Sequence, residues 1–158
     1  MRNNILNLLP FTGKQIFSRL TFTFLIAAQS IAARNVEITQ FGAVGDAATL
    51  NTKALQMAID TCAKTGGGEV TVPPGTYITG TIYLRSNVEL HLCRGSIIRG
   101  SYRNPEDYPT RSLIVADSIE NAGISGSGII DGNARHPEFQ KNYRLNDGKR
   151  PYAIYYKD

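Results

Sequence analysis

The stretch GGGEVTVPPGTYITGTIYLRSNVELHLCRGSIIRG, residues 66–100, decides the fold. It breaks into short β-rich runs at Glu69–Val72, Thr76–Thr79, Thr81–Leu84, Val88–Cys93 and Ser96–Arg99, each punctuated by Gly, Pro, Asn or Ser. In Val88–Cys93 the residues Val88, Leu90 and Leu92 face one way, and Glu89, His91 and Cys93 the other. That alternation marks a half-buried strand, with His91 turned away from the core. The chain has few of the Asn-Gly or Asp-Gly pairs that close tight hairpins.

Toward the C-terminus the pattern continues through Leu113–Ala116, Ile119–Ile124 and Gly128–Ile130. A weak internal echo links Gly95–Gly100 (GSIIRG) to Ser127–Gly132 (SGIIDG). Recurrence at such a distance is the mark of solenoids and other arrays. Arg135–Arg150 is polar and loop-like, and Pro151–Asp158 returns to strand character. Toward the N-terminus a helix fits Thr52–Lys64, with Ala54, Leu55, Ala58, Ile59 and Cys62 on one face. Asn51 is the expected N-cap, Leu50 and Leu55 the expected hydrophobic staple, and Gly66–Gly68 the stop. Val36–Phe41 reads as a strand and Gly42–Asp46 as a turn. One helix followed by many short strands suits an all-β solenoid, a parallel β-helix, better than a sandwich. The helix would cap the open N-terminal end of its core.

Composition sets the class. Hydrophobic residues are 42% and charged residues 19% of 158, which excludes a disordered chain and allows one domain with a real core. Residues 1–33 hold Arg2, Lys14 and Arg19 and no acid, so they supply three of the four net positive charges. The remainder is near neutral and has no basic stripe interleaved with aromatics, which leaves no electrostatic case for nucleic acid.

Residues 1–33 are predicted to be a signal peptide, with a cationic start, the apolar stretch Leu20–Ala28 and the small residues of Gln29–Ala33. An N-terminal anchor or a buried helix is the alternative. Export makes the protein secreted or periplasmic, and no other segment has the length and apolarity to cross a membrane. Cys62 and Cys93 either pair, as an oxidising compartment permits, or stay free, with Cys62 in the core and Cys93 on a strand.

Several blocks, taken in order, resemble the opening of glycoside hydrolase family 28, the polygalacturonase and rhamnogalacturonase-like enzymes. They are FGAVGD at 41–46, the helix from Thr52, GGGEV at 66–70, VPPGTY at 72–77, GTIYLRSNV at 80–88, LHL at 90–92, PEDYP at 105–109, GSGIIDG at 126–132 and Arg150-Pro151. The resemblance implies a right-handed parallel β-helix of pectate-lyase type, with residues 34–158 as its N-terminal part, truncated after the first few rungs. It also implies inverting hydrolysis of α-linked galacturonan, no cofactor, and a pectic polysaccharide (galacturonan or rhamnogalacturonan) as partner. Three departures touch turns and caps: Ala47-Ala48 where Gly is usual, Leu50-Asn51-Thr52 for a more acidic step, and Cys93-Arg94 for a small or acidic pair.

The chemistry the family uses is absent. Its catalytic set is an Asn-Thr-Asp step, an Asp-Asp pair, a Gly-His-Gly and an Arg-Ile-Lys. Here Asn51-Thr52 is followed by Lys53, and the other three do not occur. No residue is therefore assigned a catalytic, cofactor-binding or metal-ligating role. Asp131 reads as a turn residue before Gly132, Asp46 as a turn or helix-terminus group, and Glu106 and Asp107 as solvated loop acids. His91 and His136 lack ligand spacing with Cys or another His. Arg85, Arg94, Arg99, Arg103 and Arg111 are able to pair with uronate carboxylates but read first as surface charge. Gly126–Asp131 imitates a dinucleotide fingerprint without the helix it needs, and there is no phosphate loop. The expectation is a pectinase-type chain without activity of its own. The alternative is a non-catalytic carbohydrate-binding or structural, adhesive module.

Overall fold

The computed structural model describes residues 34–138 and 152–157. The signal peptide read over residues 1–33, and all but the first residues of the loop read over Arg135–Arg150, lie outside them. The described chain runs β1 (Arg34–Glu37), β2 (Asp46–Leu50), α1 (Thr52–Lys64), β3 (Gly68–Val72), β4 (Gly75–Thr79), β5 (Ile82–Tyr83) and β6 (Val88–Leu92). It continues through β7 (Ser96–Gly100), β8 (Ser112–Asp117), β9 (Gly123–Gly126), β10 (Ile129–Asp131) and β11 (Tyr152–Lys157).

Three sheets result, β1-β3-β6-β9, β10-β7-β4-β2 and β11-β8-β5. Every strand pairing among the described residues is parallel. From β3 onward the chain visits the three sheets in strict rotation, and each circuit lays one rung on the last. This is a right-handed parallel β-helix, the hand that parallel crossovers take almost without exception. In the first circuit α1 takes the place in the rotation that a strand of the third sheet fills later.

Parallel register stacks like on like. Val36, Val70, Leu90 and Ile124 form one inward column. Tyr77, Ile98 and Ile130 form a second, and Ile82, Ile114 and Ile154 a third. Val70, Leu90, Ile98, Ile82 and Ile114 are wholly buried. Truncating Leu90, Ile98, Ile82 or Ile114 to Ala removes packing worth about 2–5 kcal/mol. The echo between Gly95–Gly100 and Ser127–Gly132 is one rung: Ile97 pairs with Ile129, Ile98 with Ile130 and Arg99 with Asp131.

Helix α1 closes the end of these columns. Ala54, Leu55, Ala58, Ile59 and Cys62 are buried against β1, β3, β5 and β6, as their spacing requires. A second stripe, Thr52, Gln56 and Asp60, meets the polar edge of the first rungs. The Thr52 hydroxyl accepts the Gly80 N–H at 2.7 Å. The Gln56 amide accepts the Tyr83 N–H at 2.8 Å and donates to the Tyr83 carbonyl at 3.1 Å, as a neighbouring strand would. Asp60 holds the Arg85 guanidinium at 2.7 Å.

Several local expectations give way to tertiary contacts. The strand read over Val36–Phe41 ends at Glu37, and Ile38–Phe41 is one 3₁₀ turn. Gly42, at φ 86°, sends its N–H back to the Ile38 and Thr39 carbonyls, and Ile38 is driven into the core. Asp46 opens β2 rather than ending a turn. Asn51 does not cap the helix with its side chain, which is buried and bonded to the Val44 N–H, the Val44 carbonyl and the Thr49 carbonyl. Leu50 is 43% exposed, so the staple does not close. The strand read over Ile119–Ile124 starts only at Gly123, because Ser118 and Asn121 turn the chain through left-handed conformations, both at φ 52°. Asn121 there donates to the Asn87 side chain on the rung below at 3.2 Å. Both cysteines are free, Cys62 in the core and Cys93 partly buried just beyond the end of β6.

Around the irregular β2–β4 pairing, Asp46 binds the amides that the ladder leaves over. Its carboxylate accepts the Ala48 N–H at 2.8 Å, the Thr49 N–H at 2.7 Å and the Thr49 hydroxyl at 2.7 Å. These bonds, that of the Thr49 amide foremost, lower its pKa from 3.8 to about 2. Ala47 sits beside it at φ 59°, in the left-handed region that favours Gly.

Three outcomes are expected. Gln56→Leu orphans both backbone groups of Tyr83 and should cost about 1–3 kcal/mol in chemical denaturation, while Met57→Ala on the exposed side should stay within about 0.5 kcal/mol. Equal losses would mean that the amide does not stand in for a strand. Ala47→Gly relieves the left-handed backbone and should stabilise by roughly 1 kcal/mol. A lower melting temperature in that variant would contradict the strain. Because the folded pKa of Asp46 is depressed, its contribution is complete above about pH 4 and is lost as the pH falls through about 2. An NMR titration of the Asp46 carboxyl with an ordinary midpoint near 4 would refute the turn's hold on it.

Candidate functional site

Each sheet turns one face outward, and the charged residues singled out from the sequence are distributed over all three. On the second sheet, Asp131 is bound twice. Its Oδ2 pairs with Arg99 Nε at 2.9 Å across one rung, and its Oδ1 accepts the Asn133 N–H at 2.8 Å. It is a turn and ladder residue. Asp46, held low by its turn, is ionised throughout the neutral range and has no proton to give.

The Pro105–Asp107 loop is less open than its composition implies. Glu106 is exposed, but Asp107 is only half exposed, and its Oδ2 is buried without a hydrogen-bond partner. Its backbone carbonyl accepts the Thr81 N–H at 2.8 Å, and Gly80 packs so close to it that a Cβ would collide. Expecting both acids to be solvated was therefore right for Glu106 and wrong for Asp107. The difference lies in a loop folded back onto the β4–β5 corner. Tyr108 beside it is partly buried, and that desolvation together with the Asp107 charge pushes its phenol well above the ordinary range.

His136 stacks on Tyr102 with ring centroids 3.7 Å apart, and its Nδ1 accepts the Glu138 N–H at 3.3 Å. His91 stands on the outer face of the first sheet, its Nδ1 2.8 Å from the Ser125 hydroxyl one rung up. Ligating atoms of Glu69, Glu89 and His91 lie within 4.8 Å of one another, a group able to hold a cation. Spacing along the chain did not show it, because Glu69 belongs to the rung below and is paired in register with Glu89. Thr71 donates to Glu69 at 2.9 Å.

The third sheet carries a cleft of about 590 Å³ whose walls include Tyr83, Arg85, Arg111, Val115, Asp117 and Tyr155. Tyr83 pairs in register with Val115, and Val115 with Tyr155, so the three stack outward on successive rungs. Of the arginines noted in the sequence, Arg85 and Arg111 line this cleft. Arg99 pairs with Asp131, Arg103 donates to the Ala48 carbonyl at 2.7 Å, and Arg94 is exposed in the turn after β6. The tyrosines were not singled out. Their outward place in the alternation of Thr81–Leu84 and Pro151–Asp158 was the available signal.

The comparisons agree with this geometry. Residues 33–143 match the family model "Rhamnogalacturonase A/epimerase, pectate lyase-like". The exo-poly-α-D-galacturonosidase of Dickeya chrysanthemi is 39% identical over 119 residues, which are 62% of this chain and 19% of that protein. The exopolygalacturonase of Thermotoga maritima superposes with a TM-score of 0.58 at 37% identity, over 63% of this chain and 25% of that one. The family 28 exopolygalacturonase of Yersinia enterocolitica gives 0.55 at 40% identity, over 63% and 21%. The chain thus spans about a fifth of the length of the curated exo-poly-α-D-galacturonosidase it matches. With its rungs, its helix cap and its ordered sequence blocks all on that pattern, the chain belongs to the rhamnogalacturonase A/epimerase, pectate lyase-like family and is related to the family 28 polygalacturonases.

Proposed function

We propose that this chain forms the first rungs of an exported glycoside hydrolase acting on pectic galacturonan, and that by itself it binds rather than cleaves. The identity to exopolygalacturonases, running through the strands and turns of a β-helix, carries the substrate class. The cationic and apolar character of residues 1–33 supports export.

Inverting hydrolysis needs an acid to protonate the leaving oxygen and a base to activate water, about 6.5–9.5 Å apart. Asp46, Asp60 and Asp131 are each committed to a turn or an arginine. Hydrogen bonds from its turn hold Asp46, and those from Arg85 and Gln56 hold Asp60, below the ordinary carboxylate range, so neither is raised toward neutrality to act as the acid. The Asp-Asp, Gly-His-Gly and Arg-Ile-Lys steps are absent from the 158 residues. The rungs described therefore supply a scaffold on which such a pair would be stacked, not the pair itself.

Incubating the purified 158-residue chain with polygalacturonate should release reducing ends only at the rate of a vector control. Release above that background would show that a catalytic pair has been overlooked.

A further inference from the structure

The outward face of the first sheet is a grid of polar side chains. In register from the first rung upward, one column reads Asn35, Glu69, Glu89 and Gly123, and the next Glu37, Thr71, His91 and Ser125. Three of these positions are carboxylates and none is Lys or Arg. Glu69 and Glu89 stand directly opposite each other on neighbouring strands. Like charges so placed destabilise a sheet. Neither makes an ion pair among the described residues. Glu69 accepts the Thr71 hydroxyl at 2.9 Å, a neutral donor that leaves its charge in place. The face therefore carries negative charge that its own side chains do not neutralise, a demand that a bound cation meets.

His91 supplies what a row of acids lacks. It lies two residues beyond Glu89, on the same side of β6, and diagonal to Glu69 on β3. Ligating atoms of the three residues lie within 4.8 Å of one another. The imidazole is also held from outside that set: its Nδ1 is 2.8 Å from the Ser125 hydroxyl, on the next rung. A ring steadied through one nitrogen and offering the other is the arrangement that metal-ligating histidines take. Three successive rungs thus converge on one point, two with donors and one with the group that orients a donor.

Distance and donor type select the ion. Zinc bonds to imidazole nitrogen and carboxylate oxygen are about 2.0–2.2 Å long, which places tetrahedral donors about 3.4 Å apart. Donors spread over at most 4.8 Å need to close by no more than about 1.4 Å, within reach of the glutamate torsions and without moving the strands. Calcium takes about six to eight oxygens and magnesium a near-ideal octahedron of them, so both find too few here. One imidazole with two carboxylates suits a first-row divalent ion, with water completing its sphere.

We infer that Glu69, Glu89 and His91 form a surface site for a first-row divalent cation of which zinc is the fitting member, and that the bound ion clips the β3 rung to the β6 rung. The site stands on a different sheet from the tyrosine cleft, and nothing in it depends on the pectic reading.

Calorimetric titration of the metal-free full chain with zinc chloride should show one tight, saturable site per chain, with no such site for calcium. Zinc should raise the melting temperature, because the three donors are brought together only in the folded register, and a chelator should reverse the rise. His91→Gln and Glu89→Gln, both outside the core, should each abolish the binding and the melting shift. Ser125→Ala should weaken binding about tenfold by releasing the imidazole, and Ser125→Thr should restore it. His136→Gln, at the loop histidine, should change neither reading. Circular dichroism without metal confirms that each variant is folded. Zinc binding that survives both His91→Gln and Glu89→Gln would put the ion elsewhere and overturn the site. Calcium bound in preference to zinc would refute the part given to the imidazole, and a folded chain that binds no zinc would refute the whole.

Discussion

A stack of parallel rungs has an apolar interior that is open wherever the stack is not covered, and the structure depends on how that end is closed. Each inner strand is satisfied by the rungs above and below it, whereas the first has a neighbour on one side only. Helix α1 answers both needs at once. Its apolar stripe covers the core columns, and its polar stripe supplies the hydrogen bonds of a missing strand, with the Gln56 amide standing where the backbone of another rung would be. Thr52 and Asp60 extend that mimicry one helical turn to either side. The helix and the first rungs are therefore one cooperative unit.

Above the cap, register does the organising. Residues far apart in the chain become neighbours whenever they occupy the same position on successive rungs. The same rule builds the isoleucine and valine columns inside, the Arg99–Asp131 pair outside, the Asn87–Asn121 contact at a corner, and the tyrosine column of the third sheet. The glycines at the corners serve this stacking. At Gly126, φ 94°, a side chain would collide with the Leu92 carbonyl of the rung below. Rungs differ in length, since Gly68 pairs with Val88 while Ile97 pairs with Ile129, and the extra residues are accommodated at corners without disturbing the columns.

Much of this was legible beforehand. The helix bounds, its buried face and most strands follow from local spacing, whereas Asp131, read as a turn residue, closes strand β10 in register with Arg99. The failures share one cause, which is that a distant partner outbid the local preference. Asn51 has the chemistry of a cap but is taken by Val44 and Thr49, Leu50 is left outside by the β2–β4 pairing, and Asp107 is drawn inward against Gly80. His91 is the mirror case: nothing in its own strand completes a ligand set, while the neighbouring rung brings Glu69 beside it.

The sequence by itself determined where most strands, the turns and helix α1 lie, because these depend on side-chain alternation, on glycine and proline, and on a helical stripe, all read within a few residues. It also carried the family, through blocks that keep their order. Only the tertiary structure decided which side chains share a face, and so where the aromatic cleft, the acidic cluster and the strand-like amide arise. Parallel pairing joins strands separated by corners of unequal length, and no local period along the chain encodes that offset.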